Sequence, residues 1–305
     1  MITINASHDS ALEFYSEKIN KLFDDIIYCK HIKRGNPIQK FFLSDVFLNF
    51  LSEKRNVLIF GYPKNLLIVN QEYEDLVLTE HEREDIKSFF KQTGYENFQK
   101  NYSKEFLDLL GMDTCVYCNR NYTINLVNTH ARAELDHWFP KDKFPILAIS
   151  FYNLIPSCHS CNHIKGNSKD INWWRNNSLN EIIHPYFKDI KEVFKFSYSY
   201  TKSLDKFKIK LNVLNNSKMH KTLEFNKTKE IYEAHSEIEL RDLVSLANKY
   251  PDKYLDQLFE DFSKLKMSKE EIYRNVFGIE TKEKDYHKRP FSKFKHDIIE
   301  ELKSK

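Results

Sequence analysis

Two cysteine pairs constrain this chain more than any other feature. Cys115-Val-Tyr-Cys118 and Cys158-His-Ser-Cys161 are CxxC pairs separated by 39 residues. Each such turn is a tight knuckle offering two thiolates, and four thiolates suit tetrahedral zinc. Cys29 is the one cysteine left over, so four of the five fall into the pattern. Four unrelated buried cysteines would not pair in this way, and a redox CxxC would need a βαβ surround that the sequence lacks. Zinc held by four cysteines is coordinatively closed and therefore structural. A spacer of this length implies a folded segment between the knuckles, so the chemistry belongs to what the zinc staples.

Composition narrows the function. The six glycines are Gly35, Gly61, Gly94, Gly111, Gly166 and Gly278, and no two lie closer than 17 positions. A P-loop needs two glycines five apart, and a dinucleotide-binding turn needs three within six residues. The chain therefore has no nucleotide-binding loop of either kind. Lys plus Arg is 47 against 44 for Asp plus Glu, a net charge of +3. So small an excess argues against gripping nucleic acid by bulk charge and leaves local contacts. The longest stretch free of Asp, Glu, Lys and Arg is the 21 residues from Phe144 to Ile164. Its prolines, asparagines, cysteines and histidines exclude a spanning helix, so we expect no membrane segment and a buried, irregular one instead. An odd cysteine count and the lack of a secretory signal favour a reducing cytoplasm.

Periodicity divides the chain into three regions. Residues 1–111 read as helical: Leu12, Tyr15, Ile19, Leu22, Phe23, Ile26 and Ile27 form one helix face, with Cys29 on its apolar side. A second apolar stretch follows Pro37 through Phe41, Phe42, Val46 and Leu51. Thr79 with Glu82 fits a capping box, and Gly94 fits the stop of that helix. In residues 112–185, Asn121–Val127 and Arg132–His137 read as strands joined through residues 128–130, and a short helix is expected from about Cys158 to Ser168. In residues 186–305, Val193–Tyr200 and Phe207–Leu214 alternate as a β-hairpin. Helices then run from Ser217 to Lys249, which Pro251 ends, from Asp252 to Leu265, from Ser268 to Phe277 and beyond Pro290. The hairpin lysines Lys195, Lys202, Lys206, Lys208 and Lys210 would track a phosphate backbone or simply form a solvated face.

Between and after the knuckles stand Glu134-Leu-Asp136-His137-Trp-Phe-Pro140-Lys141, Asn153-Leu-Ile-Pro156 and Cys161-Asn162-His163-Ile-Lys165-Gly166. This ordered set resembles the HNH endonucleases of the ββα-metal superfamily over about a sixth of the chain. The resemblance implies an α+β fold: a zinc-stapled ββα-metal core flanked by mostly helical N- and C-terminal regions, with an additional β-hairpin. It implies phosphodiester hydrolysis with one catalytic Mg²⁺ or Mn²⁺ besides the structural zinc on Cys115, Cys118, Cys158 and Cys161. By resemblance His137 is the general base, Asp136 and Asn162 ligate the catalytic cation, Asn153 orients the loop and the base, and Lys165 touches phosphate. His163, directly after Asn162, is an alternative ligand. The chemistry of these types is consistent: histidine has the basicity to activate water near neutral pH, and hard divalent cations prefer oxygen ligands. In isolation an Asp-His pair is more often a turn cap beside a satisfied histidine; inside the staple the functional reading is favoured.

Further runs, Cys-x-Tyr-Cys-Asn-Arg-Asn, Leu-Asp-His-x-x-Pro-Lys and Ser-Phe-Tyr-Asn-Leu-Ile-Pro-Ser-Cys, are similar to the PtuB-like nucleases of Septu and some retron anti-phage systems. That resemblance implies a defence effector acting on nucleic acid, DNA favoured over RNA, beside an ATPase partner subunit. Two readings compete: an HNH effector that cleaves tRNA or other RNA, and a non-catalytic zinc module that binds nucleic acid or protein. Trp138, Trp173 and Trp174 read as core aromatics, and His159, His130 and His184 as peripheral groups.

Overall fold

A computed structural model describes residues 2–4, 8–28, 41–124, 133–166, 169–187, 193–263 and 266–304. Cys29, Pro37, His130 and residues 125–127 of the expected 121–127 strand lie outside the described residues. The protein is α+β and mostly helical, with two small antiparallel sheets among the described residues.

Six helices come first: α1 Asp9–Ile27, α2 Asp45–Phe60, α3 Pro63–Glu74, α4 Glu80–Phe89, α5 Asn97–Asn101 and α6 Ser103–Leu110. Along α1, Ala11, Tyr15, Ile19, Phe23 and Ile26 are buried, the face expected from their three- and four-residue spacing. Ser44 caps α2, but Phe42 and Val46 are exposed, so the buried side of that helix begins at Phe47. Thr79 and Glu82 form the reciprocal capping box of α4.

Gly94 does not stop that helix. The chain passes from α4 into a π-helical turn, Phe90–Glu96, and runs on into α5. Gly94 is instead a place of close approach. A Cβ there would lie 3.1 Å from Ile149 Cγ2, so the glycine lets the helix settle onto the uncharged segment. The widened turn puts Tyr95 against the candidate site, in keeping with the frequent placement of π-bulges at such sites.

The uncharged segment is buried and irregular, as expected, up to Asn153; beyond Cys158 it becomes a short helix on which His159, Ser160, His163 and Ile164 are exposed. Short 3₁₀ turns at Pro145–Leu147 and Phe151–Asn153 lead into strand β2, Leu154–Ser157. Strand β1, Glu134–His137, pairs antiparallel with β2, from Glu134 opposite Ser157 to His137 opposite Leu154. Of the expected 121–127 strand, the described residues 121–124 curl over the knuckle, where Cys115 N–H donates to Asn121 O and Thr123 N–H to Asp113 O. Helix α7, His159–Lys165, follows β2 directly and packs on β1. Strand, strand and helix thus form one small unit. Two short helices, α8 Ile171–Asn176 and α9 Ser178–Glu181, cover it and bury Trp174.

The second sheet is the expected hairpin, β3 Phe194–Thr201 with β4 Lys206–Val213. Its five lysines all face solvent. Helices α10 Lys218–Phe225, α11 Thr228–Glu233 and α12 Arg241–Lys249 replace the single expected helix. Lys227 has φ +52°, which interrupts the helical run between the first two. Helices α13 Asp252–Ser263, α14 Lys269–Phe277 and α15 Ser292–Lys303 complete the chain.

Buried side chains form two clusters. One spans α1 to the Cys115–Cys161 segment and Tyr186. The other joins the β3–β4 hairpin to α10–α12 and α15. Among the described residues no helix is long and apolar enough to cross a membrane.

Candidate metal centre and adjoining cleft

The sulfurs of Cys115, Cys118, Cys158 and Cys161 lie within 4.8 Å of one another, and all four residues are buried. None is in a disulfide. Cys118 Sγ and Cys158 Sγ are 4.0 Å apart. Tetrahedral Zn–S bonds of about 2.3 Å separate neighbouring sulfurs by roughly 3.8 Å, so the quartet fits zinc. Local backbone makes the knuckle. Asn119 adopts φ +50°, its N–H donates to Cys115 O, and Arg120 N–H donates to Cys118 Sγ at 3.3 Å. Burial pushes the Cys115 thiol well above its ordinary pKa, while hydrogen bonding from Cys115 holds Cys118 down to about 7. A zinc ion bound among them would displace the thiol protons and neutralise the four thiolates that result.

Alternation along β1 sends Glu134 and Asp136 to the face that α7 covers, and His137 to the other. Asp136 is 5% exposed. Lys165 Nζ lies 2.9 Å from its Oδ2 and 3.2 Å from Oδ1, and Tyr117 OH donates to Oδ2 at 2.5 Å. Lys165 is itself 2% exposed and also donates to His137 O at 2.6 Å, with Trp174 beneath its ammonium. Burial lowers its pKa, opposed by Asp136. Lys165, expected to touch phosphate, turns its ammonium inward to Asp136 and the His137 carbonyl.

His137 donates Nε2–H to the carbonyl of Ala148 at 3.0 Å. A carbonyl only accepts, so Nε2 carries the proton and Nδ1 the lone pair of the neutral ring. Tyr95 packs edge-on at 4.3 Å between ring centroids, and its hydroxyl donates to Leu135 O. Burial, assisted by the charge of Lys141, lowers the His137 pKa to about 3. Asn153 holds the connecting loop in shape. Its Oδ1 accepts from Phe139 N–H, its amide donates to Phe139 O and Leu147 O, and its own carbonyl accepts from Trp138 N–H.

Asp136 and Asn162 bond to different groups. Asn162 Nδ2 donates to Glu134 Oε2 at 2.7 Å, and His159 Nδ1 meets Glu134 Oε1 at 2.7 Å. The His159 and His163 rings stack one helical turn apart, 6.2 Å between centroids. Glu134, His159, Asn162 and His163 line an open cleft of about 720 Å³, together with Lys91, Tyr95 and Lys141. The motif run includes Glu134 and Lys141 but assigns them no role, and it sets His159 at the periphery. The one signal available was period-two alternation, which sets Glu134 on the same strand face as Asp136.

Over 77 residues the chain is 36% identical to the Septu protein PtuB of Bacillus thuringiensis. That match covers 25% of this chain and 28% of that protein. No protein-family model matches the chain. No solved structure matches it either.

Proposed function

We propose that this chain is a metal-dependent endonuclease of the HNH type, hydrolysing phosphodiester bonds in nucleic acid with DNA as the favoured substrate. In this reading residues 112–185 are the nuclease unit, and the helical residues 1–111 and the hairpin-plus-helix residues 186–305 flank it. One observation carries the reading. His137 ends the first strand of a strand–strand–helix unit stapled by four cysteines, with Nε2 pinned and Nδ1 in the lone-pair form. That is the state a general base needs before it takes a proton from water. A pKa near 3 keeps the ring neutral at rest. An incoming phosphate brings negative charge beside the ring and raises its affinity for the proton. Asn153 fixes the loop whose Ala148 carbonyl orients the base. Lys141 and Lys91, which line the cleft, are the cations that meet the phosphate. A divalent cation bound in the same cleft would stabilise charge on the phosphate and on the leaving oxygen.

The likeness to a Septu protein supports an anti-phage role in the cytoplasm. With no nucleotide-binding loop of its own, the chain would draw any ATP dependence from a separate ATPase subunit.

The test incubates the purified chain, with and without the ATPase, with labelled DNA and total RNA plus Mn²⁺. Metal-dependent cutting that His137→Ala abolishes, with zinc content and fold retained, is the expected result. Cutting by His137→Ala at the wild-type rate overturns the mechanism. Cleavage of RNA alone transfers the reading to an RNA-directed effector, and binding without any cleavage leaves a zinc module.

A further inference from the structure

Resting on the nuclease reading, we infer that the carboxylate ligand of the catalytic cation is Glu134, joined by His159 and Asn162, and that Asp136 is a structural partner of Lys165. Asp136 is a poor place for a divalent cation. Lys165 holds an ammonium 2.9 Å from one carboxylate oxygen, and the Tyr117 hydroxyl occupies that oxygen as well. A second cation there would meet like-charge repulsion at low exposure. Glu134 has the opposite surroundings. Its side chain is 32% exposed, opens on the cleft, and contacts two potential ligands, of which His159 is 83% exposed.

The spacing suits coordination. His159 Nδ1 and the amide of Asn162 each stand 2.7 Å from a carboxylate oxygen of Glu134. Adjacent ligands on an octahedral ion with bonds of about 2.1 Å are separated by about 3.0 Å, so small shifts suffice. His159 now presents Nδ1–H to the carboxylate. On taking a cation it adopts the Nε2–H tautomer and offers the Nδ1 lone pair, while Asn162 turns its amide so that Oδ1 replaces Nδ2. Two oxygens and an imidazole nitrogen form a borderline donor set, which favours Mn²⁺ over Mg²⁺. The soft four-thiolate site takes zinc and does not compete.

The test uses the full zinc-loaded chain and titrates Mn²⁺ by electron paramagnetic resonance, without substrate. Glu134→Gln and His159→Gln are each expected to weaken Mn²⁺ binding by about tenfold or more, and His159→Gln to remove a histidine ¹⁴N coupling. The double variant Asp136→Asn/Lys165→Met, which removes both charges of the buried pair together, is expected to bind within about threefold of wild type. His159 is exposed, so its variant keeps the test informative should Glu134→Gln fold poorly. Loss of binding in the double variant with retention in Glu134→Gln and His159→Gln overturns the inference. Glu134-dependent binding in a chain that cuts no nucleic acid would keep the site and remove the nuclease reading; cutting with binding indifferent to Glu134 would do the reverse.

Discussion

At the residue scale, neighbours on one strand have opposite fates. Asp136 is buried against Lys165, and His137 turns the other way toward Ala148 and Tyr95. Removing one partner of a buried ion pair strands the other charge. Lys165→Met alone is expected to cost about 3–5 kcal/mol in urea unfolding, and the double variant with Asp136→Asn to recover most of it. If the single variant unfolds like wild type, the pair has no structural role. On the proposed nuclease reading, His137→Ala is expected to lower cleavage by about 10²–10⁴-fold, the contribution of a positioned base, without loss of zinc. His184 provides a pH test away from the site. Burial lowers its pKa from 6.5 to about 3. Between those values the unfolded chain binds the proton and the folded chain does not, so stability falls as pH drops from about 6.5 toward 3. Its share is up to about 1.4 kcal/mol per pH unit, and His184→Phe should flatten the stability profile in that window by this amount. An unchanged slope would refute the assignment. His137 is shifted in the same direction, so part of the slope survives in His184→Phe.

Among elements, the strand–strand–helix unit depends on a staple more than on its own length. Strands of four residues and a helix of seven are too short to be stable alone. The purified chain is expected to carry one zinc by elemental analysis. Chelation or Cys115→Ser should release β2 and α7, read as lost hydrogen-exchange protection at residues 154–165, because structural zinc contributes directly to folding. Protection that survives metal removal would show that packing alone holds the unit. This part of the site was legible early, since CxxC spacing is local. The role of Gly94 was not. A glycine at a helix end and one under a neighbouring side chain look alike until Ile149 arrives from 55 residues further along.

The whole molecule turns on the first knuckle, where the two clusters meet. Asn119 Nδ2 donates to Thr114 Oγ1, Tyr286 O and Arg289 O, its carbonyl accepts from Phe291 N–H, and Tyr232 OH donates to Cys118 O at 2.6 Å. Asn119 also holds φ +50°, which asparagine tolerates better than most residues. Asn119→Ala is expected to destabilise the chain by about 2–4 kcal/mol and to loosen residues 286–293 first. Hydrogen exchange measures both, and uniform loosening would argue against a local latch. By itself the sequence determined the cysteine quartet, the helical flanks, the β3–β4 hairpin and the burial of the uncharged run from Phe144 as far as Cys158, because each is written in spacings of a few residues. Only the tertiary structure decided that β1 pairs with β2, that Lys165 turns inward to Asp136, and that Glu134 shares the cleft with His159 and Asn162. Those outcomes depend on which side chains meet across 20 to 30 residues of chain, and on burial favouring the pairing of charges that water would have kept apart.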